Sequence, residues 1–186
     1  GMIMSSVPYL QALVELCHHY DVQVIADEVA VGFGRSGALF ATEKAGVAVD
    51  YLALSKGLTN GTMPLATTLT TDSVYQAFYG DYAEGKTFYH GHTYTANPLA
   101  CAVALANLDI FESANTVNHA SALAPVLEKA LAPLRDHEHV GELRCMNLIA
   151  ALEIVADKKT GQRFAAEKRM GQAIYQAGLA QGLLLR

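Results

Sequence analysis

Basic residues are scarce in this chain. Of 186 residues, 13 are Lys or Arg against 18 Asp or Glu, which gives a formal net charge of −5 and a pI near 5.8. A protein held to nucleic acid by phosphate contacts needs the opposite balance, so no nucleic-acid partner is expected. No stretch approaches the roughly 18 uncharged apolar residues of a transmembrane helix, so no membrane partner is expected either. The opening Gly1-Met2-Ile3-Met4-Ser5-Ser6 lacks the basic and apolar regions of a signal peptide. The three cysteines, Cys17, Cys101 and Cys145, are far apart, odd in number and without CxxC spacing. They read as reduced, mostly buried thiols of a cytoplasmic protein, not as a disulfide framework or metal ligands. Internal repeats and low-complexity segments are absent.

What is there suits a packed core. Hydrophobic residues make up 52% and charged residues 17%, the reverse of a disordered composition. The length fits one domain and part of a second. Ser6 reads as a helix N-cap with Pro8 in the first turn, and apolar positions from Leu10 to Cys17 carry a helix to about Tyr20. Val22 to Ala26 reads as a buried strand of a parallel sheet, ending at Asp27-Glu28. A glycine-rich loop follows at 32–37, then a short helix near 39–45. Strands are expected at 51–54 and 65–69, with Asn60-Gly61 as a turn between them. Asp72 is expected to cap a helix to Phe78, and 80–96 to form a polar, aromatic loop. Asn97-Pro98 opens an Ala-rich helix to about Phe111 that reads as core packing, and a further helix covers about 116–134. A strand at 148–155, a helix at 162–180 and a final strand from Leu183 suggest a second, smaller unit. The chain opens on Gly1 and ends within that last apolar run, which reads as a fragment. Alternating strands and helices give an α/β class.

Three features carry chemistry, and all lie at strand ends or in the loops after them, where open α/β sheets bind ligands. Asp27-Glu28 is either an acid pair that caps a neighbouring helix or a carboxylate that pairs with a cationic ligand atom. Gly32-x-Gly34-x-x-Gly37, with Asp50 downstream, fits a dinucleotide fingerprint. Two carboxylates four or five residues before Gly32 would repel a pyrophosphate, however, and a turn needing positive φ explains the glycines as well. Lys56 in Ser55-Lys56-Gly57 follows an apolar strand. Partial desolvation there favours a neutral, nucleophilic amine that can form a Schiff base, and the small neighbours leave room for a cofactor. A carboxylate at one strand end and a lysine at another suit pyridoxal phosphate, which needs both.

The run Val24-Ile25-Ala26-Asp27-Glu28-Val29-Ala30-Val31-Gly32-Phe33-Gly34-Arg35-Ser36-Gly37 resembles the signature of class III aminotransferases, with Lys56 29 positions after Asp27. Ser55 to Thr71 and His90 to Ala102 extend the resemblance across most of 20–112, and the match over 113–186 is looser. Within the family the residues look most like the biotin-synthesis branch. The resemblance implies fold type I, with a three-layer αβα large domain and the start of a small α+β C-terminal domain. Residues 1–113 would belong to the large, pyridoxal-phosphate-binding domain. Residues 114–186 would form a linker helix and part of the small domain.

The same resemblance implies roles for individual residues. Asp27 would pair with the pyridine nitrogen of pyridoxal 5'-phosphate, and Lys56 would be catalytic. Val29 would pack on the ring and Gly91 would line the substrate pocket. His92 and Thr93 would reach the cofactor phosphate of the other subunit of a homodimer. Arg186 would bind the substrate carboxylate in two-pronged fashion. The reaction would move an amino group from a small-molecule donor to a keto acceptor. His92 stands where many adenosylmethionine-using members carry proline, so S-adenosylmethionine and lysine both remain candidate donors. The alternatives are a family member acting on an ω-amino acid or diamine, and an inactive α/β fragment or dinucleotide-binding module. The family's N-terminal half is missing, so the chain alone is expected to hold an incomplete site and an unpaired sheet edge. His18-His19 reads as a surface pair and His137-Glu138-His139 as a solvated connector.

Overall fold

The computed structural model describes residues 2–185. Helix α1 spans Val7–His19, and the Ser6 hydroxyl accepts a hydrogen bond from the Tyr9 N–H, with Pro8 inside the first turn. Strand β1 (Ile25–Asp27) pairs in parallel with β2 (Tyr51–Leu54), aligning Asp27 with Ala53. Between them lie the glycine loop and the short helix α2 (Ala41–Ala45). Strand β3 (Thr67–Thr70) runs antiparallel to β2, so the order is β1-β2-β3 and the sheet is mixed. The connection from β2 to β3 holds only a short 3-10 turn at Lys56–Leu58, so no crossover helix brings the chain back for parallel pairing.

Strand β1 is shorter than the sequence suggests and is not buried: Ile25 is 69% exposed. It pairs on one side only, so its outer edge is the unpaired sheet edge expected from the sequence. The Asp50 carboxylate covers part of the approach to β1. It accepts the Val24 N–H at 2.7 Å and pairs with His18 Nε2 at 3.2 Å. The Val24 hydrogen bond, with His18 contributing less, holds the Asp50 carboxyl below the usual carboxylate range.

Helix α3 spans Asp72–Phe78, but its N-cap is Thr71, whose hydroxyl faces the Val74 N–H. Asp72 is the first helical residue, where a negative charge suits the helix dipole. Helix α4 (Pro98–Ser113) begins as expected, with Asn97 Oδ1 accepting from the Leu99 and Ala100 N–H groups. Helix α5 (Thr116–Leu131) ends before a 3-10 turn at Ala132–Asp136.

The chain divides into two compact units, 1–124 with 146–149, and 125–145 with 150–186. One boundary falls at Pro125 inside α5, where the ladder lacks an N–H. The core of the first unit gathers Val14, Ala45, Leu54, Leu58, Val74, Ala100 and Ala104. In the second, Val140 and Val155 are buried.

Strand β4 (Val140–Met146) was not anticipated. It forms a hairpin with β5 (Ile149–Ile154) through Asn147-Leu148, with Asn147 at φ 53°. Arg144 bridges the pair by donating to Glu142 on its own strand and to Glu153 on β5, and these bonds raise its pKa, Glu153 contributing most. Helix α6 covers Met170–Ala180 only. The expected start at 162 is blocked because Asp157 and Gln162 close a bridge and Arg169 adopts a left-handed φ of 43°. Residues 183–185 form no strand, since no described strand lies there to pair with them. The three cysteines are free and half-buried, more open than expected. No described helix is long and apolar enough to cross a membrane.

Candidate active site

Asp27 ends β1, and Lys56 lies two residues beyond the end of β2. Adjacent paired strands run about 4.8 Å apart, so the register brings both residues to the same end of the sheet. Their side chains are exposed. Asp27 Oδ1 accepts from the Val29 N–H at 3.0 Å, and among the described residues nothing bonds to Oδ2. Among the described residues nothing bonds to Lys56 Nζ. The partial desolvation expected of Lys56 is therefore not supplied by this chain, because no described side chain closes over it.

The backbone around Lys56 is tightly held, by contrast. Lys56 itself has a positive φ of 38° and opens the 3-10 turn. The Ser55 hydroxyl donates to the Leu65 carbonyl at 2.7 Å, and the buried Thr59 hydroxyl donates to the Met63 carbonyl at 2.6 Å. The Gly61 N–H returns to the Lys56 carbonyl at 3.3 Å, closing the Asn60-Gly61 turn. From α4, the buried Asn107 amide donates to the carbonyls of Gly57 at 2.8 Å and Leu58 at 3.1 Å. A Cβ on Gly57 would lie 2.6 Å from Phe33 Cβ, so the backbone at Gly57 packs directly against Phe33. Phe33 is fixed in turn by edge-on contacts with Phe40 and Phe111.

The adjacent acids diverge. Glu28 is 2% exposed, and its carboxylate accepts the N–H groups of Ala41 at 2.8 Å and Thr42 at 2.7 Å. It caps α2, while its own N–H joins the sheet at the Ala53 carbonyl. Strand alternation explains the split, since successive side chains point to opposite faces. The same contact removes the dinucleotide reading. The helix next after the glycine loop, α2, has its first N–H groups already bound to the Glu28 carboxylate, so a pyrophosphate finds no anion site there. Gly34 and Gly37 serve the turn with φ of 86° and 100°.

The other expected residues lie apart from this pair. Val29 is half-buried beside Asp27. Gly91, His92 and Thr93 sit in an exposed turn, where the His92 N–H donates to Thr95 Oγ1 and the Tyr94 N–H to His92 Nδ1, both at 3.1 Å. Among the described residues no hydrogen bond links this turn to Asp27 or Lys56. Arg186 lies outside the described residues. No described cluster of His, Cys, Asp and Glu has the form of a metal site. Asn107 and Phe33 escaped the sequence reading, which gave helix capping as one reading of Asp27-Glu28 without saying which acid caps. The one available signal was an asparagine inside an Ala- and Leu-rich helix, since a buried polar residue needs a reason.

A carboxylate with an unused oxygen and an unengaged primary amine, at neighbouring strand ends, is the donor set that pyridoxal phosphate requires. The first could accept from a protonated pyridine nitrogen and the second could bind the aldehyde carbon. Those residues fit the cofactor.

Comparison with known proteins agrees with this chemistry. The family model "Aminotransferase class-III" matches residues 1–186. The adenosylmethionine-8-amino-7-oxononanoate aminotransferase of Geobacter sulfurreducens is 48% identical across the whole chain. The putrescine–pyruvate aminotransferase of Pseudomonas aeruginosa is 37% identical, again across the whole chain. The crystal structure of the Methanocaldococcus jannaschii adenosylmethionine-8-amino-7-oxononanoate aminotransferase superposes on all of the chain, with a TM-score of 0.94 and 39% identity. The α/β fold is therefore that of these transferases. The chain spans 41% of the Geobacter protein, 40% of the Pseudomonas protein and 43% of the Methanocaldococcus chain.

Proposed function

The chain belongs to the class III aminotransferases, and from that premise we propose that the protein containing it transfers an amino group onto 8-amino-7-oxononanoate to give 7,8-diaminononanoate in biotin synthesis. The donor is S-adenosylmethionine or lysine. The observation that carries the reading is the pairing of Asp27 and Lys56 at the carboxyl ends of neighbouring parallel strands, each with a polar atom unengaged.

Pyridoxal phosphate, when bound, supplies the electron sink and carries the amino group between donor and acceptor. Every other task falls to the protein. Asp27 Oδ2 accepts from the protonated pyridine nitrogen, and its negative charge keeps that proton in place. Val29 N–H fixes the carboxylate by binding Oδ1. Lys56 Nζ would hold the cofactor and would serve as the base for the proton on the donor carbon that bears the amino group. The Val29 side chain packs on one ring face. Gly91 leaves room for substrate, and His92 and Thr93 reach the cofactor phosphate of a second subunit in a homodimer. Arg186 receives the substrate carboxylate. Residues 1–113 serve as part of the large domain, and 114–186 as linker helix and part of the small one.

Borohydride reduction of the full-length protein, followed by peptide mass mapping, tests the reading. A phosphopyridoxyl mass on the Lys56 peptide is expected, and Lys56→Ala should lose both label and turnover. A label elsewhere, or turnover that survives Lys56→Ala, would overturn the mechanism. The putrescine–pyruvate relative keeps a second substrate reading in view, an ω-amino acid or diamine. Assays with 8-amino-7-oxononanoate, putrescine and pyruvate separate the two.

A further inference from the structure

We propose that Asn107 is a positioning residue for Lys56, acting through the backbone of the turn that follows it. This rests on the reading of Lys56 as the cofactor-binding lysine. The other buried positions of α4 are Ala100 and Ala104, and Asn107 is its buried polar side chain at 8% exposure. Its amide nitrogen donates to two successive carbonyls, those of Gly57 and Leu58, the first and second residues after Lys56. One donor group thereby spans the 3-10 turn and ties it to a long, regular helix about fifty residues away in sequence.

The turn needs such a tie. Lys56 has a φ of 38°, a conformation unfavourable for a residue with a Cβ, and it persists only where the surroundings over-determine it. Four contacts do so here. Ser55 and Thr59 bind the carbonyls of Leu65 and Met63, Phe33 closes on Gly57, and Asn107 binds the carbonyls between. Asn107 alone among these four belongs to a long helix. Its loss frees the turn to relax toward negative φ, which changes the direction of the Lys56 Cα–Cβ bond. An apolar replacement of similar size leaves one buried and one half-buried carbonyl without the donor that α4 now provides, an added force toward relaxation.

The test uses the full-length protein and three variants, Asn107→Leu, Asn107→Ser and, as a control, Ala104→Gly. The control weakens the same helix at a buried position without removing a hydrogen bond to the turn. Two readouts are taken. Competitive acetylation of the cofactor-free protein gives the reactivity of Lys56 against pH, with exposed Lys129 as the internal reference. Borohydride trapping after addition of pyridoxal phosphate gives the rate of label on the Lys56 peptide. Asn107→Leu is expected to slow trapping by about tenfold, the loss expected when the two hydrogen bonds no longer hold the turn in place, and to change the rate of Lys56 acetylation relative to Lys129. Asn107→Ser, whose hydroxyl can donate to one of the two carbonyls, should fall between it and the wild type, and it carries the test if the leucine variant does not fold. Ala104→Gly should lower the melting temperature and leave both Lys56 readouts unchanged. Wild-type Lys56 readouts in the asparagine variants, or an equal change in Ala104→Gly, would overturn the proposal. Failure to label Lys56 in the wild type would instead overturn the cofactor reading itself.

Discussion

Glu28→Gln tests the division of labour between the two adjacent acids most directly. The Glu28 carboxylate is buried at 2% exposure, with two charge-assisted hydrogen bonds of 2.7 and 2.8 Å from the first backbone N–H groups of α2. Such bonds contribute roughly 1.5–3 kcal/mol each. Glutamine keeps the shape and one acceptor oxygen, so one bond survives in weaker, neutral form. The other is replaced by an NH2 group facing an N–H donor, and a buried donor left unpaired costs about 1–3 kcal/mol. The net loss is expected at about 2–4 kcal/mol, a sizeable part of a typical total stability of roughly 5–15 kcal/mol. Asp27→Asn changes the neighbouring carboxylate in the same way with the opposite result. That side chain is exposed and makes one hydrogen bond, which asparagine can still accept, so stability should stay within about 0.5 kcal/mol. Activity should fall sharply while cofactor still binds, because a neutral amide cannot hold the pyridine proton. The assay is urea denaturation of both full-length variants followed by circular dichroism, beside turnover and cofactor absorbance. Equal midpoints for Glu28→Gln and wild type would refute the capping account. A large stability loss in Asp27→Asn with turnover intact would show the roles to be reversed.

Gly57→Ala should destabilise by about 1–3 kcal/mol, because its Cβ would meet Phe33 at 2.6 Å and the atom it strikes is Phe33 Cβ, which cannot swing away. In a double-mutant cycle with Phe33→Gly, which removes the Cβ that is struck, the penalty should largely vanish, and full additivity would exclude the clash. Asp50 gives a pH prediction. Its folded pKa lies below the unfolded value of about 3.9, so its contribution is complete above that value and is lost as pH falls through the lower folded one. Between about pH 6 and pH 3 the wild type should therefore lose more stability than Asp50→Asn. Identical pH profiles would remove the Val24 and His18 contacts as the cause.

What the sequence determined by itself was local. Ser6 and Asn97 with their following prolines cap helices because capping needs only a side chain and the next few backbone N–H groups. The strand at Tyr51–Leu54 and the turn at Asn60-Gly61 are equally short-range. Asp27 and Lys56 were legible because each stands at the end of an apolar run and matches a family signature.

What the tertiary structure decided was every feature that depends on a distant partner. Strand β4 carries charged residues, and it is a strand because Arg144 and its neighbours meet β5. Helix α6 starts late because a bridge from Asp157 holds Gln162 in a turn. Local pattern could not say that Glu28 caps a helix while Asp27 stays open, since both are acids at one strand end. Gly57 reads as a small neighbour of Lys56, and only the fold shows Phe33 packed against it. Asn107 reads as one more position in an apolar helix until two carbonyls fifty residues away are found on its amide. Hydrogen bonds and van der Waals contacts act over a few ångströms in space, and sequence distance carries no record of which residues the fold brings that close.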